Sequence, residues 1–183
     1  MNRKTGENPG PLAQPFAAVL HQGPDLPPEV LEELRRSFGS GGAISSGRPF
    51  GHTEYYRAEM GDSLHRTLVE FTRLVIPDWL VEARLEAQRL EDMFRRGDGG
   101  RRVNIDMGYL DLFKVVLASF KERGNKIYLG RGVWADMTLV YQNGRFENFA
   151  WTFPDFADGG YHEELLRLRR NYKERLRGQE TTD

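Results

Sequence analysis

The chain contains no cysteine. That excludes a disulfide framework, a thiolate nucleophile and any cysteine-held zinc or iron–sulfur centre, and it makes the reducing cytoplasm the expected compartment. Long apolar runs are also missing: stretches such as Val115–Leu117 and Leu139–Tyr141 fall far short of the roughly 20 residues that a membrane helix needs. Arg3 and Lys4 are not followed by the apolar stretch of a signal peptide, so neither export nor membrane insertion is expected. Charge of one sign is not in excess either, with 26 Lys and Arg against 27 Asp and Glu and a formal net charge of -1. Such a balance supplies no field to attract nucleic acid or an anionic membrane, and neither is expected as a partner. The four histidines, His21, His52, His65 and His162, have no i, i+3 or i, i+4 spacing and no cysteine companions, so no metal site is expected.

What is present is an ordinary globular composition: 183 residues, 39% hydrophobic and 29% charged, enough for one core. Residues 1–14 mix Gly, Pro, Asn and charge without periodicity and read as a disordered tail, as does the wholly polar piece 178–183. Residues 15–177 between them read as a single α+β domain.

Phe16–His21 is a short apolar run closed by Gly23 and Pro24, expected as a strand. Pro28 then opens a helix with Val30, Leu31, Leu34 and Phe38 on one face. Leu64–Val75 fits both periods and is read as a strand, because Thr67, Val69 and Phe71 alternate. After Pro77, Leu80, Ala83, Ala87, Leu90 and Phe94 advance by three and four, which predicts a helix ended by Gly97, Gly99 and Gly100. Arg101–Asp106 reads as a strand, Gly108 as a tight turn, and Tyr109–Phe120, apolar nearly all round, as a buried helix. Lys126–Leu129 and Ala135–Tyr141 follow as strands. Asn143-Gly144 predicts a type I′ hairpin whose return strand carries Phe149 and Trp151. Tyr161, Leu165, Leu168, Tyr172 and Leu176 form the stripe of a C-terminal helix. The expected fold is a mixed or largely antiparallel sheet with helices packed on it, in an order compatible with a ferredoxin-like half extended by a hairpin and that last helix.

Several strings together carry a family resemblance. Arg101–Leu110 (RRVNIDMGYL), Leu117–Lys121 (LASFK), Ile127–Leu129 and Gly132–Leu139 (GVWADMTL) resemble the signature of the family catalogued as domain of unknown function 4416. Thr53–Tyr56 with Glu59–Gly61, and Trp151–Phe156 (WTFPDF), resemble its upstream and downstream motifs. Met107 stands where that pattern has Pro, Asp136 where it has Glu, and Phe153 and Phe156 where it has Tyr. The resemblance implies a prokaryotic family and brings no activity. Some relatives carry a GTP-binding label, yet this chain has no G-x-x-x-x-G-K-[ST] loop, and Gly39-Ser40-Gly41-Gly42 lacks the lysine that would cradle phosphates.

The candidate ligand-binding residues are Arg102, Asn104, Asp106, Lys121, Arg131 and Asp136. Alternation places Arg102, Asn104 and Asp106 on one side of their strand. With the cations and carboxylate of the following elements, they would suit an anionic small molecule beside the free amides of a helix start. Each also has a plain structural reading: Asp106 as the cap of the helix expected at Tyr109, Asn104 as a backbone partner, Arg102 and Asp136 as an ion pair. Tyr55, Tyr56 and Glu59 are expected to pack a loop. Two functional classes follow: a binding protein or enzyme for a phosphorylated or carboxylated compound, or a non-enzymatic interaction module. Neither a cofactor nor an oligomeric state is indicated by the residues.

Overall fold

The computed structural model describes residues 11–51 and 56–180. Nine strands form one sheet, β1 (Gln14–Gln22), β2 (Gly41–Ala43), β3 (Arg48–Pro49), β4 (Leu64–Phe71), β5 (Val103–Leu110), β6 (Lys114–Ser119), β7 (Lys126–Gly130), β8 (Val133–Gln142) and β9 (Arg145–Asn148). The helices are α1 (Pro28–Phe38), α2 (Arg57–Met60), α3 (Trp79–Met93), α4 (Pro154–Ala157) and α5 (His162–Glu180). All pairings are antiparallel, in the order β2-β4-β1-β5-β6-β8-β7, with β3 also on β4 and β9 also on β8. The fold is α+β. Helix α1 leads, by way of the short β2 and β3, from β1 to its antiparallel neighbour β4, so the element order does not build the split βαβ unit of a ferredoxin-like half.

Strand β1 is the centre. Phe16, Ala17, Ala18, Val19 and Leu20 are all fully buried, because helices cover both faces of the sheet. Ala17, Val19, Val69, Val103, Ile105 and Met107 meet α1 and α3 through Val30, Leu34, Leu80, Ala83 and Leu90. On the other face Phe16, Ala18, Leu68, Val115, Leu117 and Leu139 meet α4 and α5 through Phe156, Leu165, Leu168 and Tyr172. The domain boundaries expected at 15 and 177 fall inside this order: Gln14 is buried in β1, and Gly178 continues α5. No helix among the described residues is long and apolar enough to cross a membrane.

One expected element is replaced. Tyr109–Phe120 is not a helix but the end of β5, a tight turn and β6. Both strands are covered on both faces, so their apolar residues lose the alternation that marks a half-exposed strand, and periodicity cannot separate such a run from a buried helix. The turn is held by Asp111, whose Oδ1 accepts the N–H groups of Phe113 (2.8 Å) and Lys114 (2.9 Å). Gly108, expected in a turn, lies inside β5, where a Cβ would stand 2.6 Å from both Leu117 Cδ2 and the Val116 carbonyl oxygen. The Asn143-Gly144 hairpin has the expected positive φ at both positions, 52° and 83°. Its return strand β9 ends at Asn148, so Phe149 and Trp151 lie beyond it, their rings stacked with centroids 4.7 Å apart.

Two substitutions test this account. Leu117→Ala is expected to cost about 2–5 kcal/mol through lost burial and a residual cavity. Gly108→Ala is expected to cost about 1–3 kcal/mol, because part of the obstruction is backbone that cannot rotate away. Urea denaturation at unchanged slope measures both, and a wild-type midpoint for Gly108→Ala would mean that β5 and β6 are not packed this closely.

Candidate functional site

Strands β5 and β6 part company soon after their turn. β5 pairs with β1 along its whole length, but with β6 only from Gly108 to Leu110. Beyond Ser119, whose Oγ accepts the Lys121 N–H at 3.0 Å, the chain turns away toward β7. The edge of β5 left unpaired by β6 is closed instead by Glu91 of α3, fully buried, whose Oε1 accepts the Ile105 N–H at 2.8 Å. Arg84 approaches that oxygen at 3.5 Å and lies over the Phe120 ring, 4.3 Å from its centroid. Burial pushes the Glu91 carboxyl above its ordinary range despite Arg84 and the Ile105 N–H, and Asp106 adds to the rise.

On the opposite face of β5, Asn104 and Asp106 sit in a polar seam. Arg66 of β4, buried at 4% exposure, is hydrogen-bonded to Asp155 of α4 and lies 3.4 Å from Asp106. Its guanidinium is also covered by Phe50 and Phe156, 4.7 and 5.8 Å from the ring centroids. Burial opposes that charge, yet the fields of Asp155 and Asp106 outweigh it and hold the guanidinium above its usual pKa. Arg101, just ahead of β5, donates to both carboxylate oxygens of Glu59 at 2.9 and 2.6 Å and to Asn104 Oδ1 at 2.9 Å. That bidentate bond depresses the Glu59 carboxyl pKa. Among the described residues, Asn104 Nδ2 is buried with no hydrogen-bond partner. Tyr56 packs edge-on against Phe50 and under Arg101, as expected of a loop-packing residue, while Tyr55 lies outside the described residues.

A cavity of about 270 Å³ opens beside this seam. Arg96, Arg101 and Arg102 line it together with Gln22, while Val30, Met60, Phe94 and Val103 supply an apolar wall. No carboxylate among the described residues is part of its lining. Arg101 is fixed by Glu59, whereas Arg102 meets Glu29 only at 3.4 Å with both side chains about half exposed. Arg96 is anchored by the Glu59 carbonyl oxygen at 2.7 Å and shares a second, exposed contact with Asp98.

The six residues singled out from the sequence are distributed as follows. Arg102 lines the cavity; Asn104 and Asp106 lie in the adjoining seam. Asp136 is buried on β8 in an ion pair with Lys126 (3.2 Å) and accepts from Asn125 (3.2 Å), so its partner is not Arg102. Lys126 Nζ also donates to Ser119 Oγ at 2.9 Å. Arg131 occupies the β7–β8 turn with φ 53° and pairs with Glu82 on α3. Lys121 lies in the turn after β6, since the helix it was to end is absent. For the same reason Asp106 caps no helix, and no helix start lies at Tyr109 to offer its amides to a ligand. Arg66, Glu91 and Arg96 were not singled out. Arg66 alternates with Leu64 and Leu68 on a buried face, and Glu91 follows Ala87 by one turn on the apolar stripe of α3. A charge embedded in an apolar period was the available signal.

Two measurements probe this seam. Asp155→Ala removes the close partner of a buried guanidinium and is expected to cost about 3–5 kcal/mol, whereas Asp106→Asn, at a partly exposed position, should cost far less. Equal losses in urea melts would contradict the arrangement. For Glu91, a folded pKa above the unfolded 4.5 means that the stability of the protonated form is full below that pH and lost as pH rises through the folded value. Glu91→Gln should therefore gain on wild type as the pH rises from about 4 to about 7. A difference that is constant with pH would show that the carboxyl is not shifted upward.

Comparison with known proteins agrees with the arrangement of motifs. The family model described as a domain of unknown function (DUF4416) matches residues 11–172. No curated protein and no solved structure matches the chain. With the match running from β1 into α5, across the seam and the cavity, the chain belongs to the DUF4416 family.

Proposed function

We propose that the protein binds a small phosphorylated or carboxylated compound in the cytoplasm, in the cavity lined by Arg96, Arg101 and Arg102. The observation that carries this reading is that three arginines line one cavity to which no carboxylate among the described residues contributes. Guanidinium pairs recognise carboxylate and phosphate in bidentate geometry, and a fixed donor orders less on binding than a free one. Arg101 is such a donor, held by Glu59 from behind. Among the described residues Arg102 has only an exposed partner, Glu29, and exposed pairs contribute little, so a ligand anion can replace that carboxylate. The apolar wall of Val30, Met60, Phe94 and Val103 suits a ligand with a short apolar body. Asn104 stands behind Arg101 and orients it through its Oδ1, while Asp106 meets Arg66 rather than the ligand.

Isothermal titration with inorganic phosphate, phenyl phosphate and benzoate tests the reading. At least one should form a one-to-one complex that weakens with added salt, and Arg102→Ala should reduce its affinity about tenfold, the loss of one charge-assisted hydrogen bond. Absence of binding by all three, or unchanged affinity in the variant, would reject it. With no G-x-x-x-x-G-K-[ST] loop in the chain, GTP with magnesium is expected not to bind at micromolar concentration.

A further inference from the structure

The two margins of the sheet differ in kind. On one side lie β2 and β3, three and two residues long, with Gly41, Gly42 and Pro49 among them. Short strands interrupted by glycine and proline are poor templates for further pairing. On the other side β8 carries β7 and β9, and between them Trp151 donates its indole N–H to the Met137 carbonyl oxygen at 3.0 Å. No strand among the described residues pairs with the outer side of β7.

Strand β7 lacks the usual protection of such an edge. It contains no proline, and its one charge, Lys126, is turned inward to Asp136 and almost fully buried. Its register shift lies at its far end, between Tyr128 and Gly130, leaving Lys126–Tyr128 regular. Ile127 is 70% exposed and Tyr128 56% exposed. Leu129, Phe120, Met137, Trp151 and Phe153, on the same end of the sheet, are also exposed large apolar residues. Elsewhere among the described residues only Ile76, Met93 and Phe113 are of that kind.

The geometry points to β7 as a homodimer edge, pairing antiparallel with β7 of a second copy across a twofold axis and continuing the sheet from one chain into the next. Area favours a second copy. At about 200 Å² for a large side chain, the exposed parts of these seven residues come to roughly 650 Å² per chain, about 1,300 Å² for two, within the range of stable interfaces. A second copy offers the same apolar strand and the same unpaired amides, which is what an isologous contact requires. The near-zero net charge raises no general repulsion against it. This inference is independent of the anion-binding reading, since the cavity lies at the β1–β5 side of the sheet.

Sedimentation equilibrium of the whole chain tests it, together with Ile127→Lys and, as a control, Phe113→Lys in the distant β5–β6 turn. Wild type and Phe113→Lys should sediment at twice the chain mass, and Ile127→Lys at the monomer mass with an unchanged far-UV spectrum. A wild-type monomer up to about 100 µM, or a dimer that survives Ile127→Lys, overturns the proposal. Hydrogen exchange of wild type gives a second readout that needs no variant. The outward-facing amides of β7, on alternate residues, should be protected at high concentration and lose protection on dilution. Protection that does not change with concentration, as when residues 1–10 or another polypeptide covered the strand, also overturns it.

Discussion

The fold depends on the complete burial of β1. A strand with no exposed face needs a layer on each side and a partner along each edge, and the chain supplies α1 and α3 for one face, α4 and α5 for the other, and β4 and β5 for the edges. Once those are in place, β2 and β3 add to β4, the other strands extend outward from β5, and burial declines toward β7. The polar seam follows from the same constraint. Charges carried on strands that face a covered layer cannot reach water, so Arg66 finds Asp155 and Asp106, Lys126 finds Asp136, and Glu91 substitutes for the strand missing beside Ile105.

Two-sided burial also explains what the sequence made legible. Elements with one wet face show their period: α1, α3, the Asn143-Gly144 hairpin and α5 are where their apolar stripes and turn residues put them. Even β4, whose sequence fits either period, is a strand through the alternation of Thr67, Val69 and Phe71. Around the β5–β6 turn that information vanishes. Val115, Val116, Leu117 and Ala118 are buried on alternating faces of a fully covered strand, and a string of apolar residues looks alike in a covered strand and a covered helix. The branched Val115-Val116 pair and the turn-forming Asp111 were the local indications of a hairpin.

The site was legible in part and for a related reason. Reading β5 as alternating placed Asn104 and Asp106 opposite Val103 and Ile105, which the packing of Val103 and Ile105 on α3 matches. The partners of those side chains come from elements remote in sequence: Arg66 on β4, Asp155 on α4, Glu59 on α2. Periodicity states which face a residue occupies, not which distant segment covers that face. Arg131 and Asp136 were therefore grouped with Asp106 by charge and proximity along the chain, while register directs them to Glu82 and Lys126.

The position of β1 sets the order in which the chain can assemble. Ala18 lies between Leu68 on one side and Asp106 on the other, so neither edge of β1 is closed until β4 and β5 have been made. At about 5–20 residues per second, the ribosome takes several seconds to cover that interval. During that time the strand destined for the deepest burial is a nascent segment without its sheet. Non-local pairing of this kind slows folding, and the domain should acquire its structure only after most of the chain has emerged.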